Sequence, residues 1–394
     1  MSSFRAEDPI LPGALIGILG GGQLARMTAM AARAMGYRIA VLDPDAECAA
    51  APVVEEVVAA PFDDADAARR LAERCAVVTY EIERIAPGVL RAVEQVVCLR
   101  PGAAVLECVQ DRMRQKRFLE AHGYPVGAWR EVNTAAELEL AIQELGPCRV
   151  KRTQGGYDGR SQIRVAKAED AAEAYRQLGG TCVAEAALDL AMELSVLVAR
   201  SPMGEVEVHP PAANWHRDGV LLYSLLPAPV DTPLQQRASE LAVSLANDLR
   251  VEGILVVEMF VTKNGELLVN ELAPRPHNTF HAVGDCCATS QFEQYVRAIC
   301  GLPLGSTEVR GTTALVNLLG NENSTDPAEI PELLRIPGVS VHLYGKKPRP
   351  RRKIGHVVVR GNGVTSTQRR ACEAMRLLGL ESKSSMASFW AISG

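Results

Sequence analysis

The sequence predicts an α/β protein of two or three domains, and three stretches of its 394 residues carry that reading. The N-terminal part alternates short apolar strands with helices, the pattern of a parallel sheet covered on both faces. Around 148–165 two short strands flank a glycine-rich tip. At 253–272 two apolar strands flank Asn264-Gly265, the strongest short hairpin signal, because both central residues of a type I′ turn need positive φ.

In chain order, Ala14 to Leu19 is a buried strand, Gly20-Gly21-Gly22 a tight loop, and Gln23 to about Met35 a helix. Strands follow at 38–42, ending at Asp43, and at 76–80, whose end presents Glu81 and Glu83. Asp111 is placed to cap a helix that runs to about His122, where Gly123-Tyr124-Pro125 stops it. A second unit begins there. Its strands are 148–151 and 162–165 around the glycine tip, then 182–185 and 193–198. The last unit holds the hairpin, a helix from about Ser290 to Cys300, and strands at 313–319 and 356–360.

Composition narrows the function classes. Hydrophobic content of 47% and charged content of 23% are ordinary for a globular protein. A net charge of −5 gives no global reason to expect nucleic acid or an anionic membrane as partner. No apolar run is long enough to span a bilayer, and Met1–Pro12, with Glu7, Asp8 and Pro9, does not read as a signal peptide. Ten cysteines without C-x-x-C spacing are expected to be buried free thiols in a reducing cytoplasm.

The chemistry starts at the hairpin. A two-residue turn at Asn264-Gly265 places Glu258 directly opposite Glu271, and like charges so paired destabilise a sheet. An exposed edge pair, or a bulge separating the charges, is the structural alternative. Both glutamates interrupt apolar strands, however, and buried paired carboxylates call for a shared proton or a cation. Mg²⁺ is commonly held by one or two carboxylates plus substrate phosphates. The tip 153–160 is glycine-rich enough for its backbone N–H groups to wrap phosphates, with Lys151 supplying a point charge; a solvated hairpin is the alternative. After Glu271 come Arg275, His277 and Asn278, held between two prolines. The run 346–353 has six basic residues in eight, which suits a solvated face, a nucleic-acid patch or a pocket for a phosphorylated small molecule. Gly20-Gly21-Gly22-Gln23-Leu24-Ala25 followed by Asp43 also fits a dinucleotide fingerprint, so an NAD oxidoreductase competes.

Together these segments resemble the ATP-grasp superfamily and, within it, the N5-carboxyaminoimidazole ribonucleotide synthetases, from about residue 14 to 361. Five motifs in order carry the resemblance: Gly-Gly-Gly-Gln-Leu-Ala-Arg (20–26), Thr-Tyr-Glu-Ile-Glu (79–83), Lys-Arg-Thr-Gln-Gly-Gly-Tyr-Asp-Gly-Arg (151–160), Asn-Glu-Leu-Ala-Pro-Arg-Pro-His-Asn (270–278) and Arg-Arg-Lys-Ile-Gly-His (351–356). The implied architecture is a Rossmann-like pre-ATP-grasp domain at 1–113, a central lid at 114–200, and a C-terminal ATP-grasp domain with the basic segment at 201–394.

The resemblance also implies roles. ATP would be held by Arg112, Lys151, the flap Gly155, Gly156, Tyr157, Asp158, Gly159, Arg160, Ser161 and Gln162, the hinge Glu185, Ala186, Ala187 and Leu188, then Glu193, His216, Asn270 and Glu271. Glu258 and Glu271 would bind Mg²⁺, with Mn²⁺ as a substitute. Tyr157, Asp158, Arg160, Arg275, His277 and Asn278 would surround the reacting groups, while Gln23, Glu81, Arg352 and Lys353 would hold the ribonucleotide. The implied reaction is ATP-dependent carboxylation of 5-aminoimidazole ribonucleotide by bicarbonate through carboxyphosphate, in purine biosynthesis. It would be carried out by a cytoplasmic homodimer with small-molecule partners and neither nucleic acid nor membrane. Asp158 and His277 are candidates for taking the amine proton. Ser161, Ala25 and Thr279-Phe280 depart from the usual pattern. Thr279 leans towards a related enzyme, the formate-dependent glycinamide ribonucleotide transformylase, which is the alternative.

Overall fold

Continuous apolar runs build the first sheet. In the computed structural model, which describes residues 8–155, 161–217, 219–320, 329–347, 349–350 and 352–380, β1 (Leu15–Leu19), β2 (Arg38–Asp43), β3 (Glu56–Ala59) and β4 (Val77–Tyr80) pair in parallel in the order β3-β2-β1-β4. Ile16, Ile18, Ile39, Val41, Val77 and Val78 are buried, as expected for strands covered on both faces. The loop after β1 runs into the helix Gln23–Ala34, so the glycine loop and the end of β4 meet at one edge of this domain.

The next sheet is antiparallel: β5 (Trp129–Val132), β6 (Cys148–Arg152), β7 (Gln162–Val165) and β8 (Cys182–Ala186), ordered β5-β8-β6-β7. Helices Ala135–Leu145 and Ala171–Leu178 bury Leu138, Ile142, Ala174 and Leu178 against Val150 and Ala184 on one face. β6 and β7 are the strands around the glycine tip, whose residues 156–160 lie outside the described residues.

All remaining described strands share one sheet. β9 (Leu190–Arg200), β10 (Val206–Val208), β11 (Ala212–Arg217), β12 (Val220–Leu226), β13 (Gly253–Thr262), β14 (Leu267–Ala273), β15 (Thr312–Leu319), β16 (Val339–Leu343) and β17 (Lys353–Gly361) run in the order β14-β13-β9-β11-β12-β15-β17-β16, with β10 beside β9. β9 lies on the lid side of a boundary at 200, yet it pairs with β13 along its length. The lid sheet therefore ends at β8, and residues 187–189 carry the chain across.

The hairpin reaches its register by a route the turn alone does not reveal. Glu258 does face Glu271. Gly265 donates its N–H to Thr262 O at 2.9 Å and Thr262 donates to Glu266 O at 3.0 Å, so the loop has three residues, Lys263-Asn264-Gly265, with Gly265 at φ 82°. That shift alone would move Glu271 out of register. The pairing passes from Met259↔Val269 to Glu258↔Glu271, so Asn270 is an extra, bulged residue that restores it.

Two buried polar contacts fix the first domain on the large sheet. Tyr295, on the helix Gln291–Ile299, hydrogen-bonds Thr79 Oγ1 and donates to Tyr80 O at 3.2 Å. Arg100, 3% exposed, donates to Glu252 at 2.8 Å and to Ile299 O at 3.0 Å. Glu252 is 40% exposed, so solvent screens its pairing with Arg100, but together these contacts tie the end of β4 and residue 100 to the helix Gln291–Ile299 and the start of β13.

Candidate active site

The three sheets enclose a cleft of about 810 Å³ that collects most of the candidate residues. Arg112, Lys151, Gly155, Ser161, Gln162, Glu193, His216, Glu258, Asn270, Glu271, Arg275, His277, Asn278, Gln23, Glu81, Arg352 and Lys353 all line it. The hinge Glu185, Ala186, Ala187 and Leu188 is not part of the lining, and Gly156, Tyr157, Asp158, Gly159 and Arg160 lie outside the described residues.

At one end sit the facing glutamates. Glu271 is held by Arg112 Nη1 at 3.0 Å, and Arg112 is in place because Asp111 caps its helix, accepting from Met113 N at 2.9 Å and Arg114 N at 3.1 Å. Glu258 accepts from Asn270 Nδ2 at 3.3 Å and lies 3.2 Å from His277 Nε2. The two carboxylates divide their protons unequally. Burial, reinforced by the Glu271 charge, pushes Glu258 up to about 7. Burial acts on Glu271 too, but Arg112 and Lys151 outweigh it and hold that carboxyl below the usual range. Although deep in the molecule, Glu271 keeps 41% of its side-chain surface open to the cleft.

The donor set fits Mg²⁺. Two oxygen-bearing side chains converge, one of them carries a proton that a cation would displace, and Asn270 Oδ1 is buried with no partner among the described residues. Among the described residues no group of three or more His, Cys, Asp or Glu forms a complete cage, so the remaining ligands would be phosphate oxygens and water.

Beside this pair, Lys151 reaches the cleft from β6 with its Nζ 2.5 Å from Glu185 Oε2. The other oxygen of Glu185 faces Lys116 at 3.0 Å. Burial opposes the Glu185 charge, but the two lysines prevail and bring that carboxyl down to about 2. Lys116 belongs to none of the sequence motifs, although it stands one helical turn after Arg112. Glu193 on β9 accepts from His216 Nδ1 on β11 at 2.7 Å. Burial works against a charge on His216, and the Glu193 hydrogen bond and charge outweigh it, raising its pKa.

A chain of contacts leads from the glutamates to the glycine loop. β14 runs directly into Arg275, His277 and Asn278. His277 touches Glu258, shares Thr279 Oγ1 through Nδ1 at 3.1 Å, and is kept neutral chiefly by burial and then by Arg275. Asn278 is 7% exposed, and both polar atoms of its amide are without partners among the described residues. Arg275 donates to Glu83 at 2.6 Å. Glu81, two residues earlier, accepts from Gly22 N at 2.5 Å and Ala25 N at 2.9 Å, the first amides of the helix Gln23–Ala34. Gln23 in turn accepts from Lys346, and Arg349, Arg352 and Lys353 line the same end.

Glu81 thus caps a helix with the carboxylate that the resemblance offers to the ribonucleotide. The same contacts weigh against a dinucleotide. Gly22 and Ala25 give their N–H groups to Glu81, Gly21 gives its own to Asp43 at 2.8 Å, and the space beside Gly21 is filled by Cys48. A pyrophosphate would need those amides. The ten cysteines are free thiols, as expected, but six are buried, whereas Cys75, Cys108 and Cys372 are half-buried and Cys98 is exposed.

Comparison with known proteins matches this architecture piece by piece. The ribonucleotide synthetase preATP-grasp domain family matches residues 14–110, the ATP-grasp domain family 117–292, and the phosphoribosylaminoimidazole carboxylase C-terminal domain family 313–370. The fold and the cleft define an ATP-grasp ligase of the ribonucleotide synthetase kind. The N5-carboxyaminoimidazole ribonucleotide synthase of Bacillus subtilis (strain 168) is 43% identical over 357 residues, which cover 89% of this chain and 93% of that protein. The crystal structure of an N5-carboxyaminoimidazole ribonucleotide synthetase in its ADP complex is 41% identical, with a TM-score of 0.89 over 94% of this chain and 98% of that one. The Aspergillus clavatus enzyme, in complex with ADP and 5-aminoimidazole ribonucleotide, is 31% identical with a TM-score of 0.87 over 93% and 98% of the two chains. The chain belongs to the N5-carboxyaminoimidazole ribonucleotide synthetase family.

Proposed function

We propose that the chain carboxylates the exocyclic amine of 5-aminoimidazole ribonucleotide, using ATP and bicarbonate and releasing ADP and phosphate. One observation carries the reading. A single cleft joins a facing carboxylate pair, served by Arg112 and Lys151, to a cationic end at Lys346, Arg349, Arg352 and Lys353. Two anionic reactants, a nucleoside triphosphate and a phosphorylated ribonucleoside, can therefore enter one site from different ends.

Glu258 and Glu271 would hold Mg²⁺ or Mn²⁺, which supplies charge neutralisation for phosphoryl transfer. Lys151 and Arg112 place fixed positive charge beside the triphosphate. Glu193, oriented by His216, accepts from the ribose hydroxyls, and the backbone of 185–188 receives the adenine. A bicarbonate oxygen attacks the γ-phosphorus and ADP leaves, giving carboxyphosphate. The substrate amine then attacks its carbonyl carbon, or CO₂ released from it, and phosphate leaves. The proton lost by the amine passes to a base. His277 is suited, since burial keeps its imidazole neutral, and Asp158 is the other candidate. Asn278, with an unsatisfied amide, orients the carboxylating group, and the flap 155–162 with Tyr157 and Arg160 excludes water from an intermediate that would otherwise hydrolyse. Arg352 and Lys353, joined by Lys346 and Gln23, take the 5′-phosphate.

The same reading expects a cytoplasmic homodimer with small-molecule partners only. No described helix is long and apolar enough to cross a membrane. Phosphate release from ATP tests the proposal. Bicarbonate-dependent release strongly stimulated by 5-aminoimidazole ribonucleotide supports it, whereas stimulation by formate with glycinamide ribonucleotide replaces it with the transformylase reaction.

A further inference from the structure

The helix Arg112–Ala121 sends two cations to different sheets from positions one turn apart. Arg112 holds Glu271 on the hairpin, and Lys116 holds Glu185 on β8, the last strand of the lid sheet. Lys116, Glu185 and Lys151 form a nearly dry row, their side chains 6%, 12% and 9% exposed. Glu185 is shared, with Oε1 facing Lys116 and Oε2 facing Lys151. Of the three, Lys151 lines the cleft and the other two do not. Two cations and one anion leave the row with one positive charge.

We propose that Lys116 is a positioning residue for ATP: by occupying one oxygen of Glu185 it prevents that carboxylate from closing on Lys151 with both, and so keeps the Lys151 charge turned to the nucleotide phosphates. Among the described residues, Lys116 and Lys151 are the cations paired with Glu185. A buried carboxylate that loses one of two ammonium partners takes what it can from the other, because an unpaired charge in a dry site is costly. Removing Lys116 therefore neutralises Lys151 without touching it. The inference rests on the ATP reading of the cleft, and saturation of the wild-type protein by ATP tests that reading separately.

The test compares Michaelis constants for ATP and for 5-aminoimidazole ribonucleotide, together with the affinity for adenosine, in the wild type and Lys116→Met. Lys116→Met is expected to raise the ATP constant about tenfold, as for loss of one charge-assisted contact, with the ribonucleotide constant within about twofold of wild type. Adenosine has no phosphates for Lys151 to meet, so its affinity should also stay within about twofold of wild type. A brace that merely holds the lid together predicts that adenosine binding weakens along with ATP binding. An unchanged ATP constant in Lys116→Met, or adenosine binding weakened as much as ATP binding, overturns the proposal. Should Lys116→Met fail to fold, Lys116→Gln is measured in its place: loss of ATP affinity with adenosine affinity kept supports the role, and equal losses for both ligands remove it.

Discussion

Replacing the two facing glutamates one at a time should have opposite effects on the stability of the metal-free protein. Glu258 is held near 7 by burial and by the Glu271 charge, against an ordinary value of 4.5. The folded protein therefore keeps a proton that the unfolded chain gives up. For such a group, stability falls as pH rises from about 4.5 to about 7 and stays reduced above that window. One unit corresponds to about 1.4 kcal/mol, and the conflict is shared between two coupled carboxylates, so the cost at pH 8 is about 1–3 kcal/mol. Glu258→Gln cannot ionise and removes it. The variant should melt a few degrees above wild type in chelator at pH 8, with the gap mostly closed at pH 5. Glu271 is shifted the other way. Burial raises it, but Arg112 and Lys151 prevail, so its ionised form stabilises the fold above the ordinary range and that contribution is lost in acid. Glu271→Gln should melt below wild type at pH 8. Thermal unfolding of all three proteins in chelator at both pH values provides the comparison. A Glu258→Gln protein that melts below wild type at pH 8, or two variants that shift together, would refute this account of the pair.

Both glutamine variants should also lose most turnover. Lys151→Met should raise the Michaelis constant for ATP and nearly abolish turnover, since a charge-assisted contact in a partly desolvated site is worth about 1.5–3 kcal/mol; unchanged steady-state constants would make this lysine a plain strand end. Lys353→Ala and Lys346→Ala should each raise the constant for the ribonucleotide about tenfold and leave that for ATP nearly unchanged, whereas Lys347→Ala should alter neither. Equal small effects at all three positions would discard the phosphate pocket, and salt-sensitive DNA binding would replace it. Gly22→Ala drives a methyl group into Glu81 Oε1, so the capped loop must shift; ribonucleotide affinity should fall while ATP affinity holds, as isothermal titration of each ligand would report.

The alternation of apolar strands and glycine loops was enough to place the first sheet, the glycine tip and the hairpin, because each depends on local periodicity or turn chemistry. The facing of Glu258 and Glu271 was readable for a different reason. Asn264-Gly265 suggests a two-residue turn, the chain makes a three-residue loop, and the bulge at Asn270 compensates. A bulge has no strong mark in a single sequence, so the pairing was anticipated without its mechanism. The strand 190–200 looks like a continuation of the lid, and only its pairing with β13 shows that the sheet changes at the hinge. Lys346 reads as one charge in a solvated run, yet the fold carries it 323 positions back to Gln23. Lys116 was invisible because its partner lies in another sheet. Glu81 was noticed for its place at the end of β4, but which N–H groups it meets depends on how the glycine loop folds back over it.

The central claim is that ATP activates bicarbonate for transfer to the ribonucleotide amine. Turnover with ¹⁸O-labelled bicarbonate in unlabelled water tests it most directly. If bicarbonate attacks the γ-phosphorus, one oxygen of each phosphate released in the presence of 5-aminoimidazole ribonucleotide carries the label. Phosphate without label, its new oxygen drawn from water, would contradict the account.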